Sequence, residues 1–192
     1  MPSLCKNNME SNKSDSFEEL SNESSSKLVV SRGNPRARFM VVGEAPGAKE
    51  DLLTKPFVGR SGKLLDKLLE SAGFNVENDI YFCNVIKCKP PGNRKPTRIE
   101  IKNSIPWLYQ QILLVDPFIL ALAGSTAVQS VLGTTEPISS LRGKWINWND
   151  RLVMPIFHPS YLLRNPSKVE GSPTFQTMND MENIYKRLEI TL

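Results

Sequence analysis

At 192 residues, 40% of them hydrophobic, with a formal charge of +4, the chain has the length and apolar content of one domain with a full core. No apolar run approaches the roughly 20 residues that span a membrane, and the polar, serine-rich N-terminus lacks the features of a secretory signal. Cys5, Cys83 and Cys88 give no disulfide framework, so a cytoplasmic, reducing setting is expected; a monomer is expected as well.

Residues 1–33 read as a tail, disordered or loosely helical, because "SNKSDSFEELSNESSS" has little apolar surface to bury. The tail carries four Lys/Arg and five Asp/Glu, so the expected domain, 34–192, holds +5. That excess is clustered at Lys87, Lys89, Arg94, Lys95 and Arg98, at Arg142 and Lys144, and at Arg164 and Lys168. A basic face is one footprint of nucleic-acid binding, although an ordinary soluble surface reads the same way.

Phe39 to Val42 form an apolar strand that runs into "GEAPG". Leu64, Leu65, Leu68, Leu69 and Ala72 recur at helical spacing until Gly73 stops them. Residues 80–86 are a second strand. "TRIE", Thr97 to Glu100, is a capping-box helix start, and Pro106 should kink or restart that helix. "FILALA", 118–123, lacks alternation, as a strand buried on both faces does. It turns at Gly124 into the helix "TAVQSVL", stopped by Gly133. Residues 144–148 and 151–156 flank Asn149-Asp150, a hairpin turn. Residues 174–189 form the last amphipathic helix. Strands alternating with helices imply a mainly parallel sheet covered on both faces, with ligands bound beyond the carboxyl ends of its strands. The loops there are "GEAPGAKED", "NVIKCKPPGNR", "AGST" and "FHPSYLLR", and the last holds the chain's single histidine, His158.

Taken together, "VVGEAPGAKED", "KPFVGRSGKLLDKLL", "NVIKCKPPGNRKPTRIEI", "LALAGSTAVQSVLG", "LRGKW" and "FHPSYLLRNPSK" resemble the uracil-DNA glycosylase superfamily, most closely its family 4. The resemblance spans nearly everything from Asn34 to Lys168. It implies a three-layer α/β/α sandwich around a central, mainly parallel four-stranded sheet. It also implies a monofunctional enzyme that flips uracil out of single- or double-stranded DNA and hydrolyses its N-glycosidic bond, as in base-excision repair.

Such chemistry needs a stacking surface, a reader of the base edge, a donor for the departing oxygen and a held water. The resemblance gives Phe57 as the stacking ring and Asn84 as the reader, whose carboxamide donates to uracil O4 and accepts from N3–H. Cytosine reverses both groups. His158 becomes the donor to uracil O2. Gly43, Ala45 and Ser125 complete the substrate pocket. Ala45 stands where the best-known relative has a water-positioning aspartate, so Glu44 and Asp51 become the candidates for that role. Glu44 reads equally well as a structural carboxylate at a helix start. Leu162, Leu163 and Arg164 form a wedge for the gap left by the flipped base. Lys89, Arg94 and Lys95 are expected to hold phosphates.

The chain departs from family 4 in its cysteines. Relatives hold a [4Fe–4S] cluster with an N-terminal Cys-x-x-Cys, a third cysteine before the "PPGNR" loop and a fourth in the following helix. Only Cys88 matches; the fourth position falls at Ser104, and Cys5 stands alone. Four thiolates are the norm, so no cofactor, no cluster and no metal are expected. Packing of Val29, Val30, Ile101, Ile105 and Trp107 must then tie the N-terminal segment to the loop. Residues 89–98 hold no histidine, so covalent capture of uracil is not expected either. Two other readings compete: a catalytically weak or inactive DNA-binding protein of the same fold, and a phosphate-binding α/β protein using "GEAPG" as an anion nest.

Overall fold

The computed structural model describes residues 26–190. Six strands form one sheet in the order β1-β3-β2-β4-β6-β5. β2 (Phe39–Gly43), β3 (Ile80–Asn84), β4 (Ile119–Ala123) and β6 (Arg151–Ile156) run parallel in its centre, as expected. Two short antiparallel edges, β1 (Arg32–Gly33) and β5 (Ile146–Trp148), extend it beyond four strands.

Every residue of β2, β3 and β4 is buried, which is why these strands read as unbroken apolar runs. Alternate side chains divide into two cores. Met40, Val42, Cys83, Leu120 and Leu122 pack with Leu108 and Ile112 of α3 (Arg98–Val115) and Val128 and Val131 of α4 (Ser125–Leu132). Phe39, Val41, Phe82, Ala121 and Ile156 pack with Leu65 and Leu69 of α2 (Arg60–Ser71) and Met181 and Ile184 of α7 (Pro173–Glu189). Three shorter helices, α1 (Ala48–Leu53), α5 (Ile138–Leu141) and α6 (Pro159–Arg164), lie in the connections. None of the described helices is long and apolar enough to cross a membrane.

Local sequence explains most element ends. Thr97 and Glu100 form the reciprocal capping box at the start of α3. Asn149 and Asp150 both take positive φ, 47° and 61°, the backbone that a two-residue hairpin between twisted strands requires. Pro106 does not restart α3, which runs on through it. The carbonyl it leaves unbonded belongs to exposed Lys102, where water can satisfy it.

The packed domain begins before the expected boundary at 34. Val29 is fully buried and its N–H donates to Lys87 O at 2.8 Å, and Arg32–Gly33 pair with Phe82 and Tyr81 of β3. The rest of the expected tail, 1–25, lies outside the described residues. Composition pointed to a tail here because the segment is held by polar bonds more than by apolar burial: Val30 and Trp107 both stay partly exposed.

One polar contact bridges the second core to the loop after α5. Asp180 of α7 is 1% exposed and pairs with the Arg142 guanidinium, while its Oδ2 has no partner among the described residues. Removing one member of a buried pair strands the other charge, at about 3–5 kcal/mol. Asp180→Ala is therefore expected to lower the unfolding free energy by about that amount in urea denaturation.

Candidate active site

The parallel strands deliver four loops to one end of the sheet. Gly43 ends β2, Asn84 ends β3, Gly124 and Ser125 follow β4, and Phe157 and His158 follow β6. Between them lies a cavity of about 310 Å³ walled by Glu44, Ala45, Phe57, Asn84, His158 and Ser160. It opens into a groove of about 620 Å³ that passes Ser125, Thr126, Lys95, Tyr161 and Arg164.

Gly43 and Asn84 are register partners across the β2–β3 ladder. A Cβ on Gly43 would overlap both Asn84 Oδ1 and the Phe57 ring, so glycine is what lets these two side chains meet. Asn84 is 3% exposed, and it lines the cavity. Its main chain is pinned from behind. Lys87 Nζ donates to Asn84 O at 2.6 Å and to Gln111 Oε1, and Gln111 Nε2 donates to Tyr81 Oη at 3.0 Å and Val30 O at 3.2 Å. Burial pushes the Lys87 ammonium below its usual range. Lys87 is thus an interior strut rather than part of a basic surface cluster.

Phe57 closes the pocket. It takes φ +55°, unusual for a bulky residue, and its ring lies 5.7 Å from that of Phe82. Glu50 of α1 holds the following peptides: its Oε1 accepts from Val58 N at 3.0 Å and Gly59 N at 2.6 Å. Of the acids in "GEAPGAKED", Glu44 lines both cavities and Oε2 accepts from Thr126 Oγ1. Asp51 lies outside the pocket. On the helical turn of α1 it faces the N-terminal segment, where Oδ1 accepts from Lys27 N at 2.7 Å.

His158 is fixed by its own loop. Ser160 N–H donates to Nδ1 at 3.2 Å, with Ser160 Oγ 2.7 Å from the same nitrogen. An Nδ1 that accepts leaves the neutral ring's proton on Nε2. Burial lowers the imidazole pKa below its ordinary 6.5; nearby Glu44 opposes the shift and Arg164 adds to it. Gly124, at φ +89°, has no Cβ to strike the His158 side chain.

The expected wedge needs correction. α6 turns Leu162 into the core at 0% exposure, where the helix packs on α2, so it cannot enter a groove. Its neighbours Tyr161, Leu163 and Arg164 face outward. Among the basic residues, Lys95 and Arg164 line the groove, Arg94 lines the pocket, and Lys89 lines neither. Glu50, Thr126, Ser160 and Lys87 escaped the sequence reading of the site. Only "E-D" at 50–51 offered a signal, and helical phase decided between the two.

Cys83 is fully buried in β3 and Cys88 is half-buried, its thiol pushed up by burial; Cys5 lies outside the described residues. No group of three or more His, Cys, Asp or Glu that could hold a metal occurs among the described residues.

Comparison with known proteins adds a family. The model of the uracil DNA glycosylase superfamily matches residues 30–188. A protein of Thermotoga maritima named type-4 uracil-DNA glycosylase is 44% identical over 142 residues, 73% of each chain. Proteins of the same name from Saccharolobus solfataricus and Archaeoglobus fulgidus are 40% and 38% identical, covering 72% and 70% of this chain and 68% and 71% of their own.

The loop carrying Arg94 is clamped to α3 by a fork: Arg94 Nη1 and Nη2 each lie 2.8 Å from a Glu100 oxygen. Arg94, then the Thr97 backbone and hydroxyl, hold the Glu100 carboxyl down at about 2 against an ordinary 4.5, burial opposing them. A depressed carboxylate stabilises the fold above its unfolded pKa and loses that contribution as pH falls through the folded one. A carbon-13 titration of Glu100 is expected to show its midpoint near 2, moving back toward 4.5 in Arg94→Ala.

Proposed function

The chain belongs to the uracil DNA glycosylase superfamily, in its type-4 branch, and on that premise we propose that it excises uracil from DNA by hydrolysis of the N-glycosidic bond. The observation that carries this reading is the Asn84 carboxamide in the cavity wall, opposite Gly43 and beside the Phe57 ring.

A flipped uracil stacks on Phe57, which contributes about 1–3 kcal/mol but no choice of base. Choice comes from Asn84. Its Nδ2 donates to O4 and its Oδ1 accepts from N3–H, while cytosine presents the opposite groups and leaves a buried amide unpaired. Sites of this kind discriminate by about 10⁴-fold or more. The C1′–N1 bond then breaks with its electron pair going to uracil, and negative charge grows on O2. His158 Nε2–H meets that charge. A preorganised donor of this type is worth about 2.7–4 kcal/mol. Water adds to C1′ from the other face and its proton passes to the Glu44 carboxylate, oriented by Thr126. Uracil leaves as a stabilised anion, so a weak base is enough. Lys95 in the groove and Arg94 at the pocket meet phosphates. Tyr161, Leu163 and Arg164 fill the space left in the stack.

The enzyme works without an iron–sulfur cluster on this reading. Three cysteines cannot supply four thiolates, and one of them, Cys83, is enclosed in the core. Ser104, at the fourth expected position, is buried and offers a hydroxyl.

A fluorescent oligonucleotide with one uracil, cleaved by alkali at any abasic site, tests the proposal. Asn84→Ala is expected to lose about 10²-fold or more in excision, and His158→Ala about 10²–10³ in kcat. Iron analysis of colourless protein should find none, with activity unchanged by a chelator. Because the neutral imidazole is the active donor, the acid limb due to His158 should lie below pH 6.5 and vanish in His158→Ala. No cleavage by the wild type, with salt-sensitive DNA binding kept, would leave a binding protein of this fold.

A further inference from the structure

We propose that Arg32 is a positioning residue for the pocket's aromatic ring: its guanidinium grips the backbone on either side of Phe57 and so sets the face that the ring presents. The inference rests on the reading of Phe57 as the base-stacking surface.

Arg32 lies on the two-residue edge strand β1, opposite Phe82. Its side chain is 7% exposed. Nε donates to Pro56 O at 2.9 Å and Nη2 to Phe57 O at 3.4 Å, while Nη2 also pairs with Asp66 of α2. The guanidinium carbon sits 3.8 Å above the Phe82 ring, and that ring abuts Phe57. One planar group therefore fixes the Phe57 loop, the ring beneath it and the helix behind it. The chemistry suits arginine alone. Five donors in a rigid fork can serve two carbonyls and a carboxylate while the flat face stacks; a lysine ammonium offers a single point.

The loop needs such a grip. Phe57 holds a positive φ, which persists only where surrounding contacts over-determine it. Glu50 takes the two N–H groups that follow the residue, at Val58 and Gly59. Arg32 takes the two carbonyls at Pro56 and Phe57. The anion and the cation thus hold neighbouring peptides, one from α1 and one from β1. Gly62 completes the seat, since a Cβ there would overlap the Phe57 backbone.

The test is a double-mutant cycle in single-turnover excision, with Arg32→Met, Arg32→Lys, Phe57→Ala and the Arg32→Met/Phe57→Ala pair. Met keeps the length and the apolar contact with Phe82. It is expected to cost about 10–100-fold where Phe57 is present, the scale of a small misplacement of a reacting group. With Phe57 already removed, the same change should cost less than about threefold, because coupled residues are not additive. Arg32→Lys should fall between and serves if Met folds poorly. Hydrogen exchange of the full chain gives an independent readout. Peptides covering 54–60 should exchange faster in Arg32→Met, with 119–123 unchanged. Equal losses in both backgrounds, or unchanged exchange at 54–60, would overturn the proposal. A wild type that excises no uracil would instead sink the proposed function, and exchange alone would then decide whether Arg32 holds the loop.

Discussion

Gly43 stands opposite Asn84 across two parallel strands, and the missing side chain there is the constraint on which the rest of the site depends. With any Cβ at 43, the carboxamide and the Phe57 ring could not occupy the same corner. The register of β2 on β3 sets that meeting. Val85 N and Ile86 N extend it past the strand ends by donating to Gly43 O and Glu44 O. Glu44 and Asn84 are thereby carried on one continuous ladder, so the spacing of their backbones is set by hydrogen bonds of the main chain.

Around this ladder the polar interior works as scaffolding. Lys87 is a buried amino group whose hydrogen bonds go to the Asn84 carbonyl and to Gln111, and Gln111 reaches on to the N-terminal segment. Arg32 is a buried cation, tied to Asp66 and to the Phe57 loop. Each links the pocket wall to a neighbouring element, Lys87 to α3 and Arg32 to α2. Burying charge is costly unless it is satisfied, and a group satisfied by several directional bonds tolerates little movement. The segment 26–33 thus ties α1, the Phe57 loop, β3 and α3 together through polar bonds. In a chain with too few cysteines for a four-thiolate cluster, this is the physical tie between the N-terminal segment and the "KCKPPGNR" loop.

The sequence made the central sheet legible because strands buried on both faces cannot alternate, and "MVV", "IYFC" and "ILALA" do not. The capping box, the Asn-Asp hairpin and the glycine helix stops were legible because each rests on a local backbone requirement. What failed was decided by tertiary phase. Leu162 and Leu163 look alike in sequence, but one turn of α6 buries the first and exposes the second. Glu50 and Asp51 are likewise adjacent acids, and α1 directs one to the Phe57 loop and the other to Lys27. Arg32 sat in a segment of tail-like composition. Its importance comes from partners 24 to 34 residues away, which no local pattern encodes.

In the proposed reaction, the two ends are served by different kinds of order. On the base side, the proposal gives His158 the part of a neutral donor to developing negative charge. Ser160 fixes its tautomer through a backbone N–H, and burial discourages a second proton. A neutral donor is better suited here than an imidazolium, whose burial would itself be penalised and whose charge would attract Glu44 across the pocket. On the sugar side, Glu44 is turned by the Thr126 hydroxyl in the first turn of α4. The donor belongs to the loop after β6 and the carboxylate to the loop after β2, with β4 and its glycine turn between them. Gly124 lets His158 approach that turn closely, so the separation of donor and carboxylate follows from the width of one strand and the absence of one methyl group.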